Sequence, residues 1–266
     1  MVSKSASELS GKTPTAAPLT KVAAVTLAFW IMKILATTLG ETAGDFISMT
    51  LNLGYYVGFG ITFAALLVIL VAQISARKFY SPLFWLAIVA TTTAGTEISD
   101  MMDRSFGLGY LSGSIILTLG LAISLGVWYL RDAKLDVVHV NRRDTETLFW
   151  IAVVFSNSLG TAFGDFLTDN MDLSYVQGAI VTAGIIGLVV ALHYMTKISD
   201  VLLFWIAFVF TRPFGATFGD FLTKPIEKGG LNLPRDNASL VTLGLLVIVL
   251  MLSMWKQRSK MVAQPA

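Results

Sequence analysis

No cysteine occurs anywhere in the 266 residues, which excludes disulfide frameworks, thiolate metal centres and thiol nucleophiles. Histidine is nearly absent, with two residues, and only 14% of the chain is charged, against about a quarter in ordinary soluble domains. The first twenty residues hold no apolar run of the kind a secretory leader requires. No phosphate-cradling loop or nucleophile–base pair is present, so neither an enzyme nor a bound cofactor is expected. A net charge of +2 gives no support to nucleic-acid binding.

What the chain has in abundance is apolar length, with 55% hydrophobic residues and a mean hydropathy of +0.72. This is the composition of a protein whose partner is the lipid bilayer. The dipeptide Phe-Trp occurs four times, ending at Trp30, Trp85, Trp150 and Trp205. Aligning these tryptophans brings Gly40, Gly95, Gly160 and Gly215 into one register ten residues on, and Asp45, Asp100, Asp165 and Asp220 into another fifteen residues on. Gly44, Ser99, Gly164 and Gly219 precede the aspartates, and Tyr55, Tyr110 and Tyr175 follow three of them. Agreement at so many positions identifies an internal repeat.

Each copy continues into a second apolar run, roughly 55–76, 110–130, 175–196 and 238–255, long enough to cross a hydrocarbon core of about 30 Å. The expected fold is an all-α membrane protein with eight transmembrane helices from four parallel two-helix repeats. Thirteen Lys and Arg fall in loops on the side of the N-terminus and four on the other, which places both termini in the cytoplasm of a cell (inner) membrane protein. The expected organisation is a flexible cytoplasmic tail (1–20), a first half (21–134), a polar linker (135–146), a second half (147–256) and a second tail (257–266).

The first helix of each repeat carries the polar chemistry. At three- and four-residue spacing, Thr37, Glu41 and Asp45 share a stripe; so do Thr93, Glu97 and Asp100, then Asn157 and Asp165, then Arg212 and Asp220. Glycines four apart suit close helix packing, the expected role of Gly40, Gly44, Gly95, Gly160, Gly164, Gly215 and Gly219. Trp30, Trp85, Trp150 and Trp205 are expected to anchor helix ends at the membrane interface. Fifteen residues of helix span about 22 Å, so each Asp lies in the outer quarter of the membrane. Six carboxylates (the four Asp, Glu41 and Glu97) facing lipid would cost about 15–20 kcal/mol, so they face the interior. Lys33, three residues past Trp30, is expected to snorkel to the interface. Arg212 is expected to act as an internal charge partner for Asp165 or Asp220, and Pro213 to break its helix.

The four Phe-Trp copies, each heading two spans and a Gly-x-x-x-Gly-Asp element, resemble a bacterial family of uncharacterised membrane proteins made of four tandem two-helix repeats. GETAGD bears a looser resemblance to the Glu-x-Gly-Asp element of cation exchangers that move calcium and manganese. Carboxylates and hydroxyls without imidazole or thiolate suit hard cations. The expected function is therefore transport of a divalent, manganese-like cation by the odd-numbered helices. Its ligands are expected among Glu41, Asp45, Glu97 and Asp100, in the first half, with Thr37, Thr93, Asn157, Asp165 and Asp220 lining the path. On that reading Asp45→Asn and Glu41→Gln abolish transport with folding intact, while Asp220→Asn loses stability. A carrier for a small organic cation or solute, and a structural or regulatory bundle, are the alternative readings.

Overall fold

The computed structural model describes residues 20–137 and 140–262. All of the expected N-terminal tail except Thr20 lies outside these, as does His139. The described residues form eight α-helices and no strand: α1 (Leu27–Asp45), α2 (Gly54–Ser75), α3 (Ser81–Asp100), α4 (Gly109–Asp132), α5 (Arg143–Asp165), α6 (Tyr175–Met195), α7 (Asp200–Thr223) and α8 (Arg235–Val262). Local signals set several of the boundaries. Thr26 caps α1 by accepting from the Phe29 amide, Pro82 sits in the first turn of α3, and Ser174 with Gln177 forms a capping box on α6. After the aspartate, α1, α3 and α5 loosen into π-helical turns, Phe46–Thr50, Met101–Ser105 and Phe166–Asn170. The chain then reverses through left-handed residues Asn52, Gly107 and Asp172, which occupy one register position.

The odd helices pack in the cyclic order α1, α3, α5, α7 and back to α1. Each even helix lies against the odd helix of the next repeat, α2 on α3, α4 on α5, α6 on α7, and α8 closes the circle on α1. The result is a ring with fourfold pseudosymmetry. Within their apolar stretches 61% of α5 and of α7 is buried, against 17–28% of the even helices, so the odd helices are the interior and the even helices the apolar rim.

Six helices, α2 and α4 to α8, are long and apolar enough to cross a membrane. The other two, α1 and α3, carry polar side chains within the stretch that would cross: Lys33, Glu41 and Asp45 in one, four threonines with Glu97 and Asp100 in the other. That polarity is buried against neighbouring helices.

The expected break at Pro213 does not occur, since α7 runs unbroken to Thr223. A mid-helix proline forfeits one backbone hydrogen bond, and here its ring is set against Gly160 of α5, where an added Cβ would meet Pro213 Cδ at 2.9 Å. Helix α8 continues to Val262, past the expected end of its span at 255.

The Phe-Trp pairs form a ring of their own. Phe29 meets Trp85 at 5.4 Å between centroids, Phe84 meets Trp150 at 5.6 Å, Phe149 meets Trp205 at 6.2 Å and Phe204 meets Trp30 at 5.7 Å. Every Phe thus touches the Trp of the following repeat. Burial takes Trp85, Trp150 and Trp205 out of an interface-anchoring role, while Trp30 is half-buried. Indoles on the inner face of a helix ring gain more by packing on the neighbouring phenylalanines than by reaching headgroups.

Candidate functional site

Three tiers of side chains lie along the inner faces of the odd helices, running from the aromatic ring to the aspartates, which form the last. The first tier holds Lys33, which the structure removes from the interface altogether. Its side chain is fully buried, and its ammonium donates to Asn157 Oδ1 at 2.9 Å and lies 4.0 Å from the centre of the Phe208 ring. Asn157 in turn donates to Thr91 at 3.0 Å. Snorkelling fails because the ammonium is enclosed inside the helix ring, held by Asn157 and the Phe208 ring.

The helices lock together between these tiers by one repeated contact. A Cβ added to Gly40 would collide with Thr92, to Gly160 with Arg212 and to Gly215 with Thr37, and one added to Gly95 would press tightly on Asn157. Each of those partners stands seven residues past its own tryptophan. Gly44, Gly164 and Gly219 repeat the pattern one turn on, against Thr96, Ala216 and Glu41. The residue equivalent to Thr37 is therefore Thr92, not Thr93. Thr92 donates across to Ala36 O at 3.0 Å, as Thr37 does to Thr211 O at 3.2 Å, whereas Thr93 bonds only Val89 O of its own helix.

In the second tier Arg212 is fully buried, with Nη2 at 2.9 Å from Glu41 Oε2 and at 2.5 Å from both Thr96 Oγ1 and Thr161 Oγ1. Glu41, Thr96 and Thr161 occupy one register position in repeats one to three, so the guanidinium sits near the pseudosymmetry axis. Its partner is Glu41 rather than the expected Asp165 or Asp220, because α7 packs on α1 and a side chain seven residues past Trp205 is too far up the helix to reach either aspartate level.

The aspartates form the third tier, all buried. Two basic residues bridge them in pairs. Arg104 lies 3.2 Å from both Asp100 and Asp165, and Lys224 lies 3.0 Å from Asp220 and 2.9 Å from Asp45. Each base is four residues beyond the first Asp of its pair, and reaches the Asp of the next repeat. The two clusters are thus equivalent under exchange of halves. Tyr55 and Tyr110 accept from Arg104 at 2.9 and 3.1 Å, and Arg235 lies 3.4 Å from Asp45. Burial alone would push the Lys224 ammonium down, but Asp220 and Asp45 outweigh it and hold the group well above its ordinary value.

Carboxylate oxygens of Glu41, Asp45 and Asp220 all lie within 4.8 Å of one another. Two ligand oxygens on opposite sides of one hard cation are separated by about 4–5 Å, so these three can share an ion. Glu97 does not belong to this group. It stands one position beyond the register of Glu41, and so points sideways, toward α2.

A ring of four parallel repeats with an apolar rim and a polar, ion-paired interior defines an all-helical membrane protein of internal-repeat type. The chain belongs to the family described as Repeat of Unknown Function (DUF347), whose model matches residues 28–79, 83–134, 148–199 and 203–259. No curated protein and no solved structure matches it.

Proposed function

We propose that the protein is a transporter of a divalent, manganese-like cation, crossing the inner membrane eight times with both termini in the cytoplasm. The cargo site on this reading is Glu41, Asp45 and Asp220. The observation that carries the reading is the buried charge at the aspartate end. Seven buried carboxyl groups (Glu41, Asp45, Glu97, Asp100, Asp103, Asp165 and Asp220) face four basic side chains (Arg104, Arg212, Lys224 and Arg235). Seven acids less four bases leaves three carboxyl groups to be balanced by protons or a bound cation, since isolated charges are not stable at low dielectric.

Lys224 gives the site a release device. Its ammonium lies between Asp45 and Asp220 as a tethered cation, and a divalent ion displaces it by offering twice the charge to the same oxygens. When the ion leaves, Lys224 returns. An all-oxygen donor set selects manganese, magnesium or calcium over zinc and copper. Membrane carboxylates that converge instead of facing separate surfaces are the usual mark of an ion path.

The test is equilibrium Mn²⁺ binding to the purified protein, by titration calorimetry. Asp45→Asn and Asp220→Asn each remove a direct ligand, so the loss should exceed the about 10–100-fold that outer-shell changes cause. Undiminished binding by both variants would reject the site.

A further inference from the structure

The aromatic end of the ring is crossed by a segment that belongs to no helix. Residues 20–26 precede α1, yet Lys21 lies against α5, the helix diagonally opposite α1 in the ring. Its backbone amide donates to Val140 O, just ahead of α5, at 2.8 Å. Its ammonium is paired with Glu146 in the first turn of α5 and donates to Ile74 O, in the last turn of α2, at 3.0 Å. Val22 beside it is buried in the same apolar cluster as Phe29, Trp85, Trp150 and Trp205. Ala24, Val25 and Thr26, by contrast, are exposed. The segment thus touches down at Lys21 and Val22, over the Phe-Trp ring, and three exposed residues join it to α1.

The anchor is charged where an apolar one would serve. Lys21 and Glu146 are 6% and 1% exposed. Replacing a buried ion pair by apolar side chains of like volume is often neutral or stabilising, so this pair adds little to a permanent seal. What it adds is placement. The ammonium meets the carbonyl end of α2 and the carboxylate the amide end of α5, each where the helix dipole favours it, so the segment seats in one position. The network is also incomplete: Gln73 donates to Glu146 at 3.0 Å, but its own Oε1 is buried with no hydrogen-bond partner. A buried acceptor without a donor costs free energy that exposure to water recovers. Lifting the segment returns Lys21 and Glu146 to water as well, which offsets the lost pair and makes the anchor reversible.

We propose that residues 20–26 are a strap latched across the aromatic end of the ring, with Lys21 as the latch and Glu146 as its catch, and that the strap lifts from the Phe-Trp ring while the helices stay folded. On the transport reading above, this end faces the cytoplasm and the lifted strap opens the inner mouth to the cargo cation. That link rests on the transport reading; the strap itself does not.

The cysteine-free chain allows a single Val22→Cys to report the strap, through its rate of labelling by a water-soluble maleimide in lipid nanodiscs. With the latch intact the site is expected to react slowly. Lys21→Met and Glu146→Gln, each added to Val22→Cys, remove one charge of the latch. Each should speed labelling about tenfold or more, since a hydrogen bond between charged groups is worth at least that factor. Ala87→Cys, buried on α3, should stay protected in the same backgrounds, which separates a lifted strap from an unfolded protein. Hydrogen exchange over residues 20–26, measured without any cysteine, serves if Val22→Cys does not fold; it should accelerate in Glu146→Gln while exchange in α3 does not. Labelling of Val22→Cys as fast with the latch as without it, or loss of protection at Ala87→Cys together with Val22→Cys, would overturn the proposal. Saturating Mn²⁺ should change the Val22→Cys rate. A rate that responds to the latch variants and ignores Mn²⁺ would uphold the strap and reject its link to the cargo.

Discussion

Arg212 Nη2 lies 2.9 Å from Glu41 Oε2 across 171 residues of sequence, and this ion pair joins the last repeat to the first at the centre of the ring. Removing one member of a buried pair strands the other at low dielectric, with a penalty of about 3–5 kcal/mol. Glu41→Gln is therefore expected to destabilise the protein by about that amount, contrary to the sequence-based expectation that it leaves folding intact. Arg212→Met should do the same, and the double variant should recover most of the loss. Thermal unfolding in detergent for the wild type and three variants closes the cycle; additive losses would show that the two groups do not interact.

Among the described residues Lys224 is the one base shared by two proposed cargo ligands. Lys224→Gln removes the tethered competitor, so Mn²⁺ affinity should rise by about tenfold or more, equivalent to about 1.4 kcal/mol, while release slows and turnover falls. Calorimetry and flux measured on the same preparation should move in opposite directions. Because its acidic neighbours hold Lys224 protonated, any change of transport between mildly acid and neutral pH should persist in this variant.

The glycine notches make a graded prediction. Gly40→Ala drives a Cβ into Thr92 and within 2.9 Å of backbone, where little can yield, so a loss of about 1–3 kcal/mol is expected. Gly60 on α2 has no atom within 4 Å of an added Cβ. Gly60→Ala should therefore be neutral or stabilising by up to about 1 kcal/mol, the ordinary helix preference of Ala over Gly. Equal effects at the two positions would contradict the packing scheme.

Trp150→Ala should lose about 3–5 kcal/mol by vacating a fully buried site, and Trp30→Ala distinctly less, because Trp30 keeps an exposed edge. Unfolding midpoints that rank the other way would restore the interface-anchor role.

The four-copy register was legible because it rests on spacing: Trp, Gly and Asp recur at constant offsets, and so did the division into polar odd and apolar even helices. What depends on which repeat touches which was not. The order of the ring decides that Arg212 meets Glu41 and that Phe29 meets Trp85, and linear spacing holds no record of it. Three adjacent threonines, Thr91, Thr92 and Thr93, look alike until the register of Thr37 is carried across to Thr92. Glu97 and Glu41 differ by one residue in register, about 100° of helix rotation, enough to turn one to the axis and the other to α2. The bridging bases do leave a signal, the four-residue spacing of Asp100 to Arg104 and of Asp220 to Lys224, although both bases lie past the ends of their helices.

The central claim is that the axial carboxylates carry a cation through the membrane, and radiolabelled Mn²⁺ uptake into proteoliposomes tests it most directly. The account predicts saturable uptake by the wild type, reduced to the level of empty liposomes in Asp45→Asn and Asp220→Asn, both remaining folded by thermal unfolding because Lys224 keeps one carboxylate partner in each. Wild-type uptake no greater than that of empty liposomes, or full uptake by both variants, would contradict it.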